Sequence, residues 1–214
     1  MMSFLKTAYH FLLAWLGNIV YGFPSKKLYV IGVTGTKGKS TVTELISAVL
    51  EAAGKKTAVM NTVRFKIAGE SEKNTRSMTM PGRFFIQSFL RRAVRAGCEY
   101  AILEVTSQGV LQSRHRFIHF DAAVFLNLHP EHIEAHGSYK AYRRAKVRFF
   151  FDAARGSKKR DKFFYINHAS KEKEYFADEV VRKGKTIFWS RDEFVERELE
   201  QGRVSIGDWL SSEI

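Results

Sequence analysis

The sequence predicts an α/β fold, a mostly parallel sheet flanked by helices and containing a phosphate loop. Three observations predict it. From Pro24 onward, short apolar runs alternate with segments of helical periodicity, the pattern of strands buried on both faces by crossover helices. One of those runs ends in a glycine-rich turn that opens directly into a helix. A chain of 214 residues is also long enough to bury a sizeable core without disulfides.

Residues 1–25 stand apart from residues 26–214, which read as one domain. Ala8 to Phe23 is apolar for about sixteen positions, short of the roughly 20 needed to span a bilayer, and His10 and Asn18 interrupt it. Lys6, Lys26 and Lys27 flank it, and Trp15 with Tyr9 and Tyr21 lie within it. Two readings stand: a helix packed on the domain, or an interfacial helix meeting a membrane surface through residues 4–23.

Strands are expected over 28–33, 57–61, 100–105, 122–127, 163–167 and 186–190, each a short apolar run. Helices are expected over 39–53, 83–97, 139–154, 170–183 and 191–200, and residues 63–70, "VRFKIAGE", read as a hairpin.

The formal charge of +13 and the pI near 9.9 call for an anionic partner. The densest basic run, Arg155 to Lys162, carries no interleaved aromatics and belongs to no nucleic-acid module, so it reads as a solvated loop and no nucleic acid is expected. The single cysteine, Cys98, cannot close an intrachain disulfide. It reads as a core residue of a protein in the reducing cytoplasm.

The strongest local signal is "VIGVTGTKGKST", Val30 to Thr41. Glycines in the turn Gly35, Thr36, Lys37, Gly38 let backbone N–H groups curl around phosphate oxygens. The helix N-terminus adds partial positive charge, and Lys39 adds a full one. Ser40 or Thr41 can place a hydroxyl on Mg²⁺. Glu104, in "AILEVTSQG", ends a buried strand; in a parallel sheet it shares the phosphate loop's edge and can hold the same cation. His129, His132 and His136 in "NLHPEHIEAHGS" raise zinc as a lesser alternative, which Pro130 and Gly137 weaken by breaking the helix that a pair at i, i+4 requires.

In "SYKAYRRAKVRFF", with Ser138 as N-cap, Tyr139, Tyr142, Lys146, Phe149 and Ala153 form the inward stripe of an amphipathic helix. Lys140, Arg143, Arg144 and Arg148 mostly lie off it. Lys146 is thus placed among aromatics, either buried or snorkelling past them to water.

Taken in order, "GTKGKST", "EVTSQG" and "NLHPEHIEAHGSYKAYRRAK" resemble the motifs of the central ATP-binding domain of the Mur ligases and, more distantly, folylpolyglutamate synthetase. The resemblance covers roughly residues 28 to 190. It implies an ATP-dependent amide ligase of peptidoglycan precursor synthesis. In that chemistry a substrate carboxylate is activated as an acyl phosphate and attacked by an amino-acid amine. Carried over, Gly35 to Thr41 form the nucleotide loop and Lys39 binds the ATP phosphates. Ser40 and Glu104 hold one Mg²⁺ and His132 the second. Lys146, fourteen residues after His132, matches a lysine carbamylated by CO₂ in several members. Thr79 in "SMTMPG", with Ser107, Gln112 and Arg114 in "SQGVLQSR", would contact a UDP-muramoyl-peptide acceptor; the structural alternatives are that Thr79 to Gly82 only cap the next helix and that Arg114 is only surface charge.

Departures from the family pattern are also visible. Glu131 and Glu134 replace aspartates, Lys37 stands where asparagine is frequent, and "INHASKE" keeps Asn167 as an adenine contact but lacks the following acids. The chain stops at Ile214, short of the family's usual central-domain end, so a fragment, a split enzyme needing a separate chain for its C-terminal domain, or an inactive relative is expected. The competing functions are a nucleotide-binding module anchored by its first helix, on the inner face of a membrane or on a partner, and a phosphate-loop phosphotransferase unrelated to ligases.

Overall fold

The computed structural model describes residues 2–76, 78–131, 133–156, 162–180 and 184–189. Helix α1 (Met2–Val20) precedes β1 (Tyr29–Thr34), α2 (Lys39–Ala52), β2 (Thr57–Met60) and the hairpin β3 (Arg64–Ile67) and β4 (Glu70–Lys73). Then come α3 (Arg83–Arg95), β5 (Tyr100–Glu104), the short α4 (Ser107–Leu111), β6 (Ala122–Phe125) and the short α5 (Ile133–His136). The last elements are α6 (Tyr139–Gly156), β7 (Phe163–Asn167), α7 (Lys173–Val180) and β8 (Lys185–Trp189).

The strands form one sheet in the order β4-β3-β2-β5-β1-β6-β7-β8. From β2 to β8 across the sheet every pairing is parallel; only the hairpin pairs antiparallel. Each expected strand is present to within a residue or two at its ends. The hairpin runs three residues further than its sequence pattern indicated, because the second strand, Glu70–Lys73, is wholly exposed and carries no apolar signature. Of the helix expected over 170–183, Lys173–Val180 is helical, while 181–183 and the helix expected over 191–200 lie outside the described residues.

β1 occupies the centre because it is apolar on both faces. Val30 joins a core with Met60, Phe89, Phe125, Phe149 and Phe150 on one face. Ile31 and Val33 join Val59, Ile102 and Val124 under Val42, Ile46 and Leu50 of α2 on the other. Alternation with both sets buried is what a central parallel strand requires. Cys98 is buried, as expected of a core residue.

At Gly32 the sheet has no side chain, and aromatic rings take the space: a Cβ there would lie 2.4 Å from Phe149 Cζ and 2.8 Å from Phe120 Cε1. Phe120 and Phe149 meet edge to face, with centroids 5.0 Å apart. Gly32→Ala is therefore expected to lower stability by about 1–3 kcal/mol through overpacking. Urea denaturation checks this, and an unchanged midpoint would contradict the packing.

Candidate active site

Parallel register brings the strand ends to one edge. Val33 pairs with Glu104 of β5 and with Val124 of β6, and Phe125 pairs with Ile166 of β7. The turn after β1 lies at this edge, where α/β sheets bind ligands. Gly38 begins α2 at φ 81, a left-handed conformation natural to glycine, and no side chain caps the helix. Its first N–H groups have no intrahelical acceptor, so the turn is suited to anionic oxygens. Gly35 faces the segment just after β6 so closely that a Cβ would lie 3.0 Å from Leu126 Cβ.

Asn127 holds the loop in shape. Its Oδ1 accepts from the backbone N–H of both Thr36 and Lys37 at 3.0 Å, and its Nδ2 donates to the Lys37 carbonyl at 3.1 Å. The Thr36 hydroxyl accepts from His129 N at 2.9 Å and meets the Tyr142 hydroxyl at 3.1 Å.

Glu104 is 3% exposed and receives three hydrogen bonds on Oε2: from Ser40 Oγ at 2.7 Å, Thr62 N at 3.0 Å and Thr62 Oγ1 at 3.1 Å. Lys39 Nζ lies 3.7 Å from Oε1 and donates to the Thr36 carbonyl at 2.8 Å. A carboxylate and a hydroxyl side by side next to an uncapped helix start form the oxygen-rich donor set that suits Mg²⁺ with a nucleotide's phosphates. Thr41, the alternative hydroxyl, is exposed one residue along the helix.

Lys146 is 2% exposed. Its stripe behaves as the periodicity requires: Tyr142, Phe149 and Ala153 are buried, whereas Lys140, Arg144 and Arg148 are exposed. Ser138 caps the helix by accepting from Ala141 N at 3.1 Å. The Lys146 ammonium does not snorkel out. Its Nζ donates to the carbonyl of Gly35 at 2.7 Å and sits over the Tyr142 ring, 4.9 Å from its centroid. Burial, followed by the like charge of Lys39, pushes its pKa down to about 7, against the pull of Glu104 and Glu131.

Beside the phosphate loop a cavity of about 370 Å³ is lined by Lys39 and Glu104 together with Thr79, Ser107, Gln112 and Arg114. The four residues expected to contact an acceptor thus open onto the same space as two of those expected to handle phosphate. Thr79 does not cap α3, whose N-cap is Gly82; its hydroxyl instead meets that of Thr62 at 2.7 Å. Arg114 donates to the Met80 carbonyl and, at 2.6 Å, to Gln112 Oε1. Ser107 Oγ lies 3.0 Å from His136 Nε2.

The sequence profile of the Mur ligase middle domain matches residues 33–205. The chain belongs to the Mur ligase family. A UDP-N-acetylmuramyl-tripeptide synthetase of Roseiflexus sp. is 41% identical over 140 residues, 64% of this chain and 28% of that protein. The solved structure of a UDP-N-acetylmuramoyl-L-alanyl-D-glutamate--2,6-diaminopimelate ligase superposes with TM-score 0.66 at 26% identity, covering 78% of this chain and 33% of that one. Folylpolyglutamate synthase of Mycobacterium tuberculosis shares the fold at TM-score 0.64 and 16% identity, covering 86% of this chain and 47% of that one. This Mur ligase domain therefore spans about a third or less of the Mur ligase chains it resembles.

Two of its departures from the family pattern meet in space: Lys37 Nζ lies 3.4 Å from Glu131 Oε1, an exposed pair that contributes little to stability. Asn167 ends β7 at the same edge, and its amide is engaged by the backbone: Nδ2 donates to the Leu126 carbonyl at 2.6 Å and Oδ1 accepts from Ala169 N at 3.0 Å. His132 lies outside the described residues. Among the residues that are described, no cluster of three or more His, Cys, Asp or Glu side chains is placed to hold a metal.

Sequence reasoning missed Thr62 and Asn127. Both contact the site across more than forty residues of chain, and only Asn127 had a local signal, as the first residue of the histidine-bearing motif. Arg83, at the start of α3, was also missed; it donates to the Gln112 carbonyl and closes a ring of contacts between the Thr79 segment and α4.

The unfolded chain keeps a lysine protonated to about pH 10, while folded Lys146 releases its proton near pH 7. Folding therefore carries a burial penalty that is complete below pH 7 and fades as pH rises toward the ordinary lysine value. Lys146→Met is expected to raise the melting temperature at pH 6, with the gain shrinking steadily toward pH 10. Thermal denaturation across that range checks the sign. A difference that does not vary with pH would contradict the depressed pKa.

Proposed function

We propose that this chain is the nucleotide-binding part of an ATP-dependent ligase that joins an amino-acid amine to the carboxylate of a UDP-muramoyl-peptide. The observation that carries the reading is the junction of Lys39, Glu104 and the cavity bearing Thr79, Ser107, Gln112 and Arg114, with Lys146 buried behind the phosphate loop.

In this reading the uncapped turn at Gly38 and the Lys39 ammonium neutralise nucleotide phosphates. Ser40 and Glu104 hold one Mg²⁺, and Thr62 fixes the carboxylate through two hydrogen bonds. His132 is assigned the second Mg²⁺ on the resemblance alone. Bound ATP would supply the phosphoryl group that turns the acceptor carboxylate into an acyl phosphate. Arg114 and Gln112, which hold each other in place, orient the acceptor so that its carboxylate faces Lys39.

Lys146 is assigned the carbamate. Only a neutral amine attacks CO₂, and a pKa near 7 leaves roughly half of it neutral at pH 7. The neutral amine would add to CO₂ and give up one proton, so that an anion would replace a buried cation beside the Gly35 carbonyl. Asn167 sits at the edge where an adenine contact is assigned. The reading places the chain in the cytoplasm, with α1 free to meet the inner face of a membrane. The amino acid's binding site is assigned to a further domain, carried on a longer chain or on a separate one.

The test is ADP and phosphate release from Mg·ATP with UDP-muramoyl-peptides and candidate amino acids, the chain being supplied alone and with a C-terminal Mur domain. Acceptor-dependent release is expected, weak for the chain alone, because closure of a second domain positions the reactants. It should fall by about 10²-fold or more in Lys146→Ala. Hydrolysis that ignores the acceptor and survives Lys146→Ala would overturn the ligase reading. In a separate binding measurement, Lys39→Ala should weaken Mg·ATP by about tenfold or more. Carbon-13 bicarbonate should give a carbamate resonance that is absent from Lys146→Met.

A further inference from the structure

Helix α1 is apolar on the wrong side. Ala14, Gly17 and Asn18 face inward, Ala14 and Asn18 almost fully buried. The helix is seated on α3, where Gly17 approaches Phe84 and Gln87 and the Tyr21 and Phe84 rings meet at 6.5 Å. The outward face carries Tyr9, Leu12, Trp15, Leu16, Ile19 and Val20, from 40% to 61% exposed. With Phe11 and Phe23, this segment supplies eight of the fourteen exposed large hydrophobic residues among the described residues. A helix with apolar residues on its solvent face is normally covered by something.

We propose that this face docks on the surface of a lipid bilayer bearing anionic headgroups. Charge supplies the argument for that occupant. Lys6 opens the helix sequence, exposed Lys26 and Lys27 follow its end, and no acidic residue occurs before Glu44. The Lys26 ammonium lies 4.7 Å from the centroid of the exposed Phe23 ring, so a cation and an insertable aromatic sit together at the helix's end. Tyr9 and Trp15 are residue types that settle at the boundary between headgroup and acyl chain. No helix among the described residues is long and apolar enough to cross a membrane, so α1 lies along the surface and does not span it. A second copy of the chain fits less well. A two-fold interface sets the same patch against itself, bringing lysines toward lysines with no acid in the segment to meet them.

The proposal is independent of the ligase chemistry, since α1 contributes none of the cavity residues. Its test is flotation of the full chain with phosphatidylcholine vesicles, with and without phosphatidylglycerol. The chain should float with the anionic vesicles and stay in the soluble fraction with neutral ones. Lys26→Ala/Lys27→Ala should weaken binding by roughly tenfold or more, and Leu12→Glu/Leu16→Glu should abolish it with the thermal melt unchanged. Absence of flotation with anionic vesicles would overturn the proposal. So would equal binding of wild type and both variants, or a dimer in light scattering that Leu12→Glu/Leu16→Glu dissolves without any vesicle binding.

Discussion

The parallel register of β5, β1 and β6 is the constraint on which the rest of the structure depends. It sets Val33 opposite both Glu104 and Val124, so that a phosphate loop, a carboxylate and the clamp at Asn127 emerge from neighbouring strands at one edge. A slip of one residue would turn Glu104 to the other face of the sheet. The register is fixed because both faces are buried, and each face has its own helices to satisfy. Chemistry at the edge is therefore positioned by packing many residues away from it.

Charge at this edge is balanced by neighbours and not by solvent. Glu104 gains three donors and the nearby Lys39, which fix the position of a buried carboxylate. Lys146 gains one carbonyl and an aromatic face, too little to offset the loss of water around a cation, so its proton is weakly held. The two groups are electrostatic opposites, and the Glu104 charge pulls the Lys146 pKa upward against the effect of burial.

What the sequence revealed was local. The stripe containing Lys146 could be read because helical periodicity involves residues three and four apart, and the turn at Gly38 because strand, glycines and helix are contiguous. The contacts of Thr62 and Asn127 were hidden because they exist only once strand order is known, with Asn127 reaching residues some ninety positions earlier. The helix α4 was hidden for another reason. Five residues including a glycine have little intrinsic helicity, and α4 forms because the Thr106 side chain accepts from Gly109 N and because Ser107, Gly109 and Val110 are buried. The edge strand Glu70–Lys73 pairs with β3 but is wholly exposed and has no apolar residue, so its sequence gives no strand signal.

Gly32 acts as a depth stop. Without a side chain on the central strand, the Phe149 ring comes to rest against the sheet, and Lys146 stands one turn earlier on the same helix with its amine at the Gly35 carbonyl. The gap between helix and sheet therefore sets how far the lysine reaches into the loop. Core stability and the reach of the amine share this one clearance, and the core cannot be enlarged at this point without drawing the amine away from the Gly35 carbonyl.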